Sequence, residues 1–254
     1  MSANSPAPPA PDLWQANSLR VTAFPTVQHV TTPQNWWRDL VGIEPETSTQ
    51  KRHERENVGI YNGCSLTLTV DLVRIQWMLT PRMGDPSTVP DQPVVLGQFL
   101  ERQLEFITAI NRWLGTCPPI KRLAFGSLLL QPVLDHAEGY RLLDRYLRCV
   151  DVDPESSDFM YRLNRRRRSE IGIFGPPVNR LSTWAVARIS TVAIGAVPGG
   201  THMVQGETFA CSLELDISTP AEFDGELPHD ELPRVLTELA EFGVDIATDG
   251  DRRA

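Results

Sequence analysis

The sequence predicts an α+β fold in which two similar β-α-β-β-β-α halves form an antiparallel sheet with helices packed on one face. The first observation behind this prediction is that segments with an apolar residue at every second position alternate with segments of helical apolar spacing. The second is that the order of these segments is similar in the two parts of the chain. The predicted units are residues 18–116 and 117–248.

Short sequence identities also link the two halves. Ala23-Phe24 matches Ala124-Phe125 within the first predicted strand of each half, and Cys64-Ser65-Leu66 matches Cys211-Ser212-Leu213 within a later one. Matches of this length also arise by chance. A true duplication predicts a molecule with pseudo-twofold symmetry.

The predicted strands and helices follow from apolar spacing and from turn residues. The predicted strands are Leu19–Phe24, Ser65–Val70, Val73–Trp77, Leu123–Leu130, Ser182–Val197 and Phe209–Ile217. The predicted helices begin at Thr32-Pro33 and end at Gly42, cover Leu96–Leu114, carry Tyr140 to Val150, and run from near Asp230 to Gly243. Residues 44–57 are polar, which predicts a loop or an exposed edge.

Composition predicts a soluble, cytoplasmic protein. Of the 254 residues, 41% are apolar and 22% are charged, and the chain has no apolar run near the roughly 20 residues that a membrane span needs. Pro, Ala and Ser dominate Ser2–Pro11, so residues 1–17 are predicted to be a disordered leader. Residues 249–254 are predicted to be a tail, and the four separated cysteines to be mostly buried, reduced thiols.

Charge is unevenly distributed along the chain. Residues 207–254 have thirteen acidic residues against three arginines, a net charge of −10, so the rest of the chain has +2 of the total of −8. Phosphate contacts need positive charge, and the overall acidity therefore argues against non-specific binding to nucleic acid.

An arginine-rich segment interrupts the second half. It has five arginines within seven residues: Arg162, Arg165, Arg166, Arg167 and Arg168. Guanidinium groups bind phosphates and carboxylates through paired hydrogen bonds, which predicts a site for an anion or an acidic partner. Nucleic acid, a nucleotide and the acidic C-terminal quarter of this chain or of a second copy are the candidate partners. The alternative is a solvated loop or edge strand that resists aggregation.

Two adjacent tryptophans are predicted to differ in exposure. Neighbouring side chains on a helix point about 100° apart, so Trp36 and Trp37 are not both expected to face the core. The exposed one would mark a contact surface.

Several segments resemble a sporadically distributed family of bacterial proteins of about 250 residues, whose members have no agreed activity. The segments that carry the resemblance are Leu19–Phe24, Ser156–Phe159, Asn179–Trp184 and Leu213–Ile217 with the helix that follows. The resemblance implies an α+β fold and an accessory role in mobile or defence gene clusters, including phage defence.

Motifs for catalysis are absent from the sequence. It contains no G-x-S-x-G, P-loop, G-x-G-x-x-G or H-E-x-x-H pattern, and its five histidines have no spacing typical of metal ligands. No cofactor or metal is predicted. The leading hypothesis is a non-enzymatic binding or assembly subunit of a bacterial multi-protein system, with a protein partner or a homo-oligomer and no membrane. The alternatives are a nucleic-acid-binding protein that uses Arg162–Arg168 and an enzyme with an unfamiliar site.

Overall fold

The computed structural model describes residues 13–26, 35–84, 88–197 and 200–251, except for the side chains of residues 193–197 and 200–202. The strands are β1 Gln15–Pro25, β2 Thr47–Gln50, β3 Glu54–Tyr61, β4 Cys64–Asp71, β5 Ile75–Thr80, β6 Gly97–Gln98, β7 Ile120–Val133, β8 Met160–Asn164, β9 Asn179–Val197 and β10 Gly200–Ser218. The helices are α1 Trp36–Val41, α2 Phe99–Leu114, α3 His136–Tyr146 and α4 Leu232–Asp249. Thr32 and Pro33, predicted to open the first helix, and the leader residues 1–12 lie outside the described part of the chain.

The strands form one antiparallel sheet in the order β2-β3-β4-β5-β1-β7-β10-β9-β8, with β6 paired to the start of β1. This confirms the predicted mixed α/β fold with a large antiparallel sheet. The polar segment 44–57 contains the exposed edge strand β2 and the first part of β3. The β4–β5 and β9–β10 hairpins form as predicted.

The helices cover the apolar face of this sheet. Trp77, Val21, Phe125 and Ile217 lie opposite one another on β5, β1, β7 and β10, so their side chains share that face. All four are fully buried. In the described residues, no helix is both long enough and apolar enough to cross a membrane.

The structure does not confirm a two-half repeat. Ala23-Phe24 and Ala124-Phe125 do fall on the adjacent central strands β1 and β7. The second identity falls on positions that differ in the sheet, because Cys64 lies in β4, two strands away from β1, whereas Cys211 lies in β10, directly beside β7.

Helix α4 continues past its predicted end at Gly243 to Asp249. The reason is close packing: a Cβ atom at residue 243 would come within 3.2 Å of Phe125 Cε1 and 3.4 Å of Leu215 Cδ1. Glycine at this position therefore lets the helix approach the sheet and does not end it.

Some residues of the predicted leader and of the predicted tail pack against the rest of the structure. Residues 13–17 are not part of a leader, since Trp14 is fully buried and its indole N–H donates to the Ala247 carbonyl at 3.0 Å. Asp251, within the predicted tail, is only 3% exposed. Trp14, just before β1, packs against α4.

The β9–β10 hairpin extends beyond the rest of the sheet. β7 pairs with β10 only from Phe209 onwards, and β8 pairs with β9 only at residues 181–185. Residues 188–197 and 200–208 are therefore paired, among the described strands, with each other alone. We call these two segments the ribbon.

Candidate functional site

The arginine-rich segment folds back onto the acidic C-terminal quarter. Arg165 Nη1 donates a hydrogen bond to the Asp251 carbonyl. Arg166 donates to the Glu222 carboxylate at 2.9 Å, and Arg167 to Asp245 at 3.0 Å. Three of the five arginines are thus engaged inside the chain, whereas Arg162 and Arg168 are exposed. The segment consequently offers less free positive charge than its sequence indicates.

The aromatic ring of Phe242 contacts two guanidinium groups, that of Arg167 in the arginine-rich segment and that of Arg180 in β9. The guanidinium carbons of Arg167 and Arg180 are 5.3 Å and 5.2 Å from the centre of the ring, which is a cation–π distance. Burial lowers the pKa of Arg180, with Asp245 opposing this effect and Arg167 adding to it. Arg180 is 8% exposed, and its Nε has no hydrogen-bond partner among the described residues.

Asp251 connects three elements that are distant in the chain. Its carboxylate accepts hydrogen bonds from the backbone N–H groups of Arg148 at 2.5 Å and Cys149 at 3.0 Å, just after α3. Its own N–H donates to the Tyr146 carbonyl at 3.2 Å, and its carbonyl accepts from Arg165. We call this set of contacts the Asp251 latch. It fixes the end of α4 to the end of α3 and to the arginine-rich segment.

Both tryptophans of α1 are buried, so the prediction that one is exposed is wrong. Trp36 is 4% exposed and packs edge-on against Trp113, with ring centroids 5.9 Å apart. Trp37 is 3% exposed and stacks on Trp77 at 6.1 Å. Helix α1 lies between α2 and the sheet. Two neighbouring side chains that point about 100° apart on α1 can therefore both be buried, one against α2 and the other against the sheet. Neither ring is available as a contact surface.

A groove lies between α2 and α4, next to the arginine-rich segment. Its volume is about 1090 Å³. We call it the α2–α4 groove; its lining residues are Leu100, Gln103, Leu104, Ile107, Thr108, Asn111, Arg167, Glu170, Ile171, Pro233, Arg234, Thr237, Glu238, Ala240, Glu241, Phe242, Val244 and Asp245. The lining thus combines an apolar floor with charged rims.

Leucine side chains give one wall of this groove its apolar character. Leu104 is 69% exposed and Leu100 is 37% exposed, one helical turn apart on α2. Ile107, on the same stripe, is 5% exposed and forms part of the floor. Two neighbouring exposed leucines over a buried isoleucine make a continuous apolar strip.

The opposite wall is held in place by a buried carboxylate. Glu238 of α4 is 7% exposed and accepts hydrogen bonds from Ser169 Oγ and the Glu170 N–H, both at 2.6 Å. These bonds tie the loop after the arginine-rich segment to α4 and close one end of the groove.

Sequence reasoning missed the α2–α4 groove and the Asp251 latch. A signal for the groove was present, because Leu100, Leu104, Thr108 and Asn111 form a second stripe beside the core stripe of α2. No local signal marks Asp251, since its partners are about a hundred residues away along the chain. In the described part of the chain, no three histidine, cysteine or acidic side chains are grouped so that they could hold a metal ion.

The structure is that of an antiparallel α+β protein with a groove between two helices of its helical layer. Searches of protein-family models, curated proteins and solved structures find no match to the chain. The resemblance to the bacterial family, with the defence role that it implies, therefore stays a prediction.

Proposed function

We propose that this protein is a non-enzymatic binding or assembly subunit and that a partner protein docks in the α2–α4 groove. The observation that carries the proposal is the exposure of Leu104, 69%, within an apolar strip that lines a groove of about 1090 Å³. An amphipathic helix that enters a groove between two helices buries such a strip. Burial of one leucine side chain contributes about 1.5–3 kcal/mol, so Leu104 would be a main contributor to binding.

Two matched substitutions test this proposal. Leu104→Asn removes the apolar side chain from the groove, and Leu134→Asn removes an 86% exposed leucine that is not part of the groove lining. The probe is a labelled amphipathic peptide of about three helical turns, with leucine on one face and glutamine on the other. Fluorescence anisotropy measures its Kd for the parent and for both variants.

The parent is expected to bind this peptide, and Leu104→Asn to weaken binding about tenfold or more, as loss of a buried leucine requires. Leu134→Asn is expected to bind like the parent. Thermal unfolding of each variant shows whether the fold is unchanged. If the parent does not bind, or if both variants bind equally, the groove is not a docking site.

We also propose that the chain contains two copies of one structural unit. The positions of the elements support this: β1 and β7 are neighbours, β5 lies beside β1, and β10 lies beside β7. Each of the two central strands is followed by a helix, and each half closes with a longer helix, α2 or α4. An experimental structure in which these four strands and four helices do not superpose in pairs would disprove a duplication.

A further inference from the structure

The length of the α2–α4 groove indicates the size of the segment that it can receive. On α2 the lining residues run from Leu100 to Asn111, and on α4 they run from Pro233 to Asp245. The two stripes span eleven and twelve residue steps, which corresponds to about 17–18 Å at 1.5 Å per residue. A helix of about three turns, or roughly twelve residues, has the same length.

The net charge of the groove lining indicates which charge the partner segment should have on its polar face. Four acidic residues and two arginines line the groove, which gives a net charge of −2. Both arginines are already paired: Arg167 with Asp245 at 3.0 Å and with Glu170 at 3.8 Å, and Arg234 with Glu231 at 2.7 Å. Glu241 is exposed on the rim and has no ion pair among the described residues. The charge available to a ligand is therefore negative.

Cationic side chains match this acidic rim. Lysine and arginine carry only hydrogen-bond donors and a positive charge, so they suit the exposed carboxylate of Glu241.

We infer that the partner segment is a basic amphipathic helix, with leucine-like residues on the apolar strip and lysine or arginine toward Glu241. This inference rests on the proposed docking function of the groove. Complementary charge raises the association rate and excludes acidic competitors, so the preference is expected to weaken as salt rises.

Three labelled peptides of about three turns test the inference. All have the same leucine face, and the polar face is lysine, glutamine or glutamate. Each is titrated by fluorescence anisotropy against the parent and against two charge-reversal variants. Glu241→Lys changes the rim of the groove, and Glu226→Lys changes an exposed carboxylate that is not in the lining.

The parent is expected to bind the lysine peptide about tenfold more tightly than the glutamate peptide at low salt, with the glutamine peptide between them. Glu241→Lys is expected to reduce this ratio to about threefold or less, and Glu226→Lys to leave it unchanged. If all three peptides bind the parent equally and Leu104→Asn still abolishes binding, the groove is a docking site but does not prefer a basic helix. If none binds, the docking function fails as well.

Sedimentation velocity of the parent and of Leu104→Asn adds a second readout. The parent is expected to remain a monomer over the concentration range in which the lysine peptide binds. A parent dimer that Leu104→Asn dissociates would show that a second copy of this chain fills the groove, and would overturn the inference of a basic partner helix.

Discussion

Gly59 of β3 lies directly against the indole of Trp37: a Cβ atom at residue 59 would come within 2.9 Å of Trp37 Cζ2 and 3.2 Å of the Glu46 backbone nitrogen. The absence of a side chain on β3 is what allows α1 to bury Trp37 against Trp77. Because one of the two close neighbours is backbone, a side chain at residue 59 cannot be accommodated by a rotamer change alone.

Gly59→Ala is expected to destabilise the protein by about 1–3 kcal/mol, the usual cost of overpacking a core. The matched control is Gly175→Ala, since nothing lies within 4 Å of a Cβ atom at residue 175. Denaturant titration monitored by tryptophan fluorescence measures both variants. Equal stabilities for the two variants would contradict the close contact with Trp37.

Replacement of the Phe242 ring by an aliphatic side chain is expected to destabilise the protein more than the same replacement elsewhere in the core. Phe242→Leu removes the ring that contacts Arg167 and Arg180, whereas Phe106→Leu removes a 1% exposed ring with no cation–π contact among those described. The expected excess loss in the free energy of unfolding is about 1 kcal/mol for Phe242→Leu. Chemical denaturation of both variants tests it, and an equal loss would assign the ring a purely apolar role.

Removal of the Asp251 carboxylate is expected to open the latch. Asp251→Ala leaves the N–H groups of Arg148 and Cys149 without their acceptor, which costs roughly 1–3 kcal/mol. Asp249→Ala, at an exposed site two residues earlier, is expected to stay within about 0.5 kcal/mol of the parent. Hydrogen exchange at residues 148 and 149 gives a local readout: protection there should fall in the first variant only.

Thiol accessibility should separate the four cysteines. Burial raises the pKa of Cys117 and Cys211 to about 12 and also raises that of Cys64, whereas Cys149 is exposed. At about pH 8 an alkylating reagent is expected to modify one thiol quickly in the native protein and four in denaturant. Cys149→Ser should remove the fast reaction; any fast labelling that remains would place another thiol at the surface.

Because Cys117 and Cys211 are buried, the free energy of unfolding is expected to depend on pH in the alkaline range. The pKa of each thiol rises from its ordinary value of 9.0 in the unfolded chain to about 12 in the folded protein, because burial disfavours the charged thiolate. As pH rises through this interval, the unfolded chain loses protons that the folded protein retains, and stability therefore decreases.

The sequence predicted the strands and helices better than their contacts. Alternation in Ser65–Val70 and the turn residues after Val197 depend on near neighbours, and the corresponding hairpins form as predicted. The end of α4 was predicted wrongly because glycine usually ends helices, and only the position of Phe125 shows why Gly243 lies inside one.

The candidate site was less predictable, because its parts come together only in the folded chain. The arginine-rich segment is obvious in the sequence, but its engagement depends on Glu222, Asp245 and Asp251, which lie more than fifty residues further on. Leu104 is a common residue on a helix, and its exposure depends on which face of α2 the rest of the protein covers. Apolar periodicity describes one helix at a time and does not show how two helices pack against each other.

The ribbon also has a consequence for how the molecule moves in solution. Nine residues of β10, 200–208, extend past the end of β7, which corresponds to about 30 Å of strand at 3.3 Å per residue. Such a projection adds friction while adding very little mass. A 28.4 kDa chain of this shape will diffuse and sediment more slowly than a sphere of equal mass, and its rotation about the ribbon axis will be faster than its end-over-end tumbling.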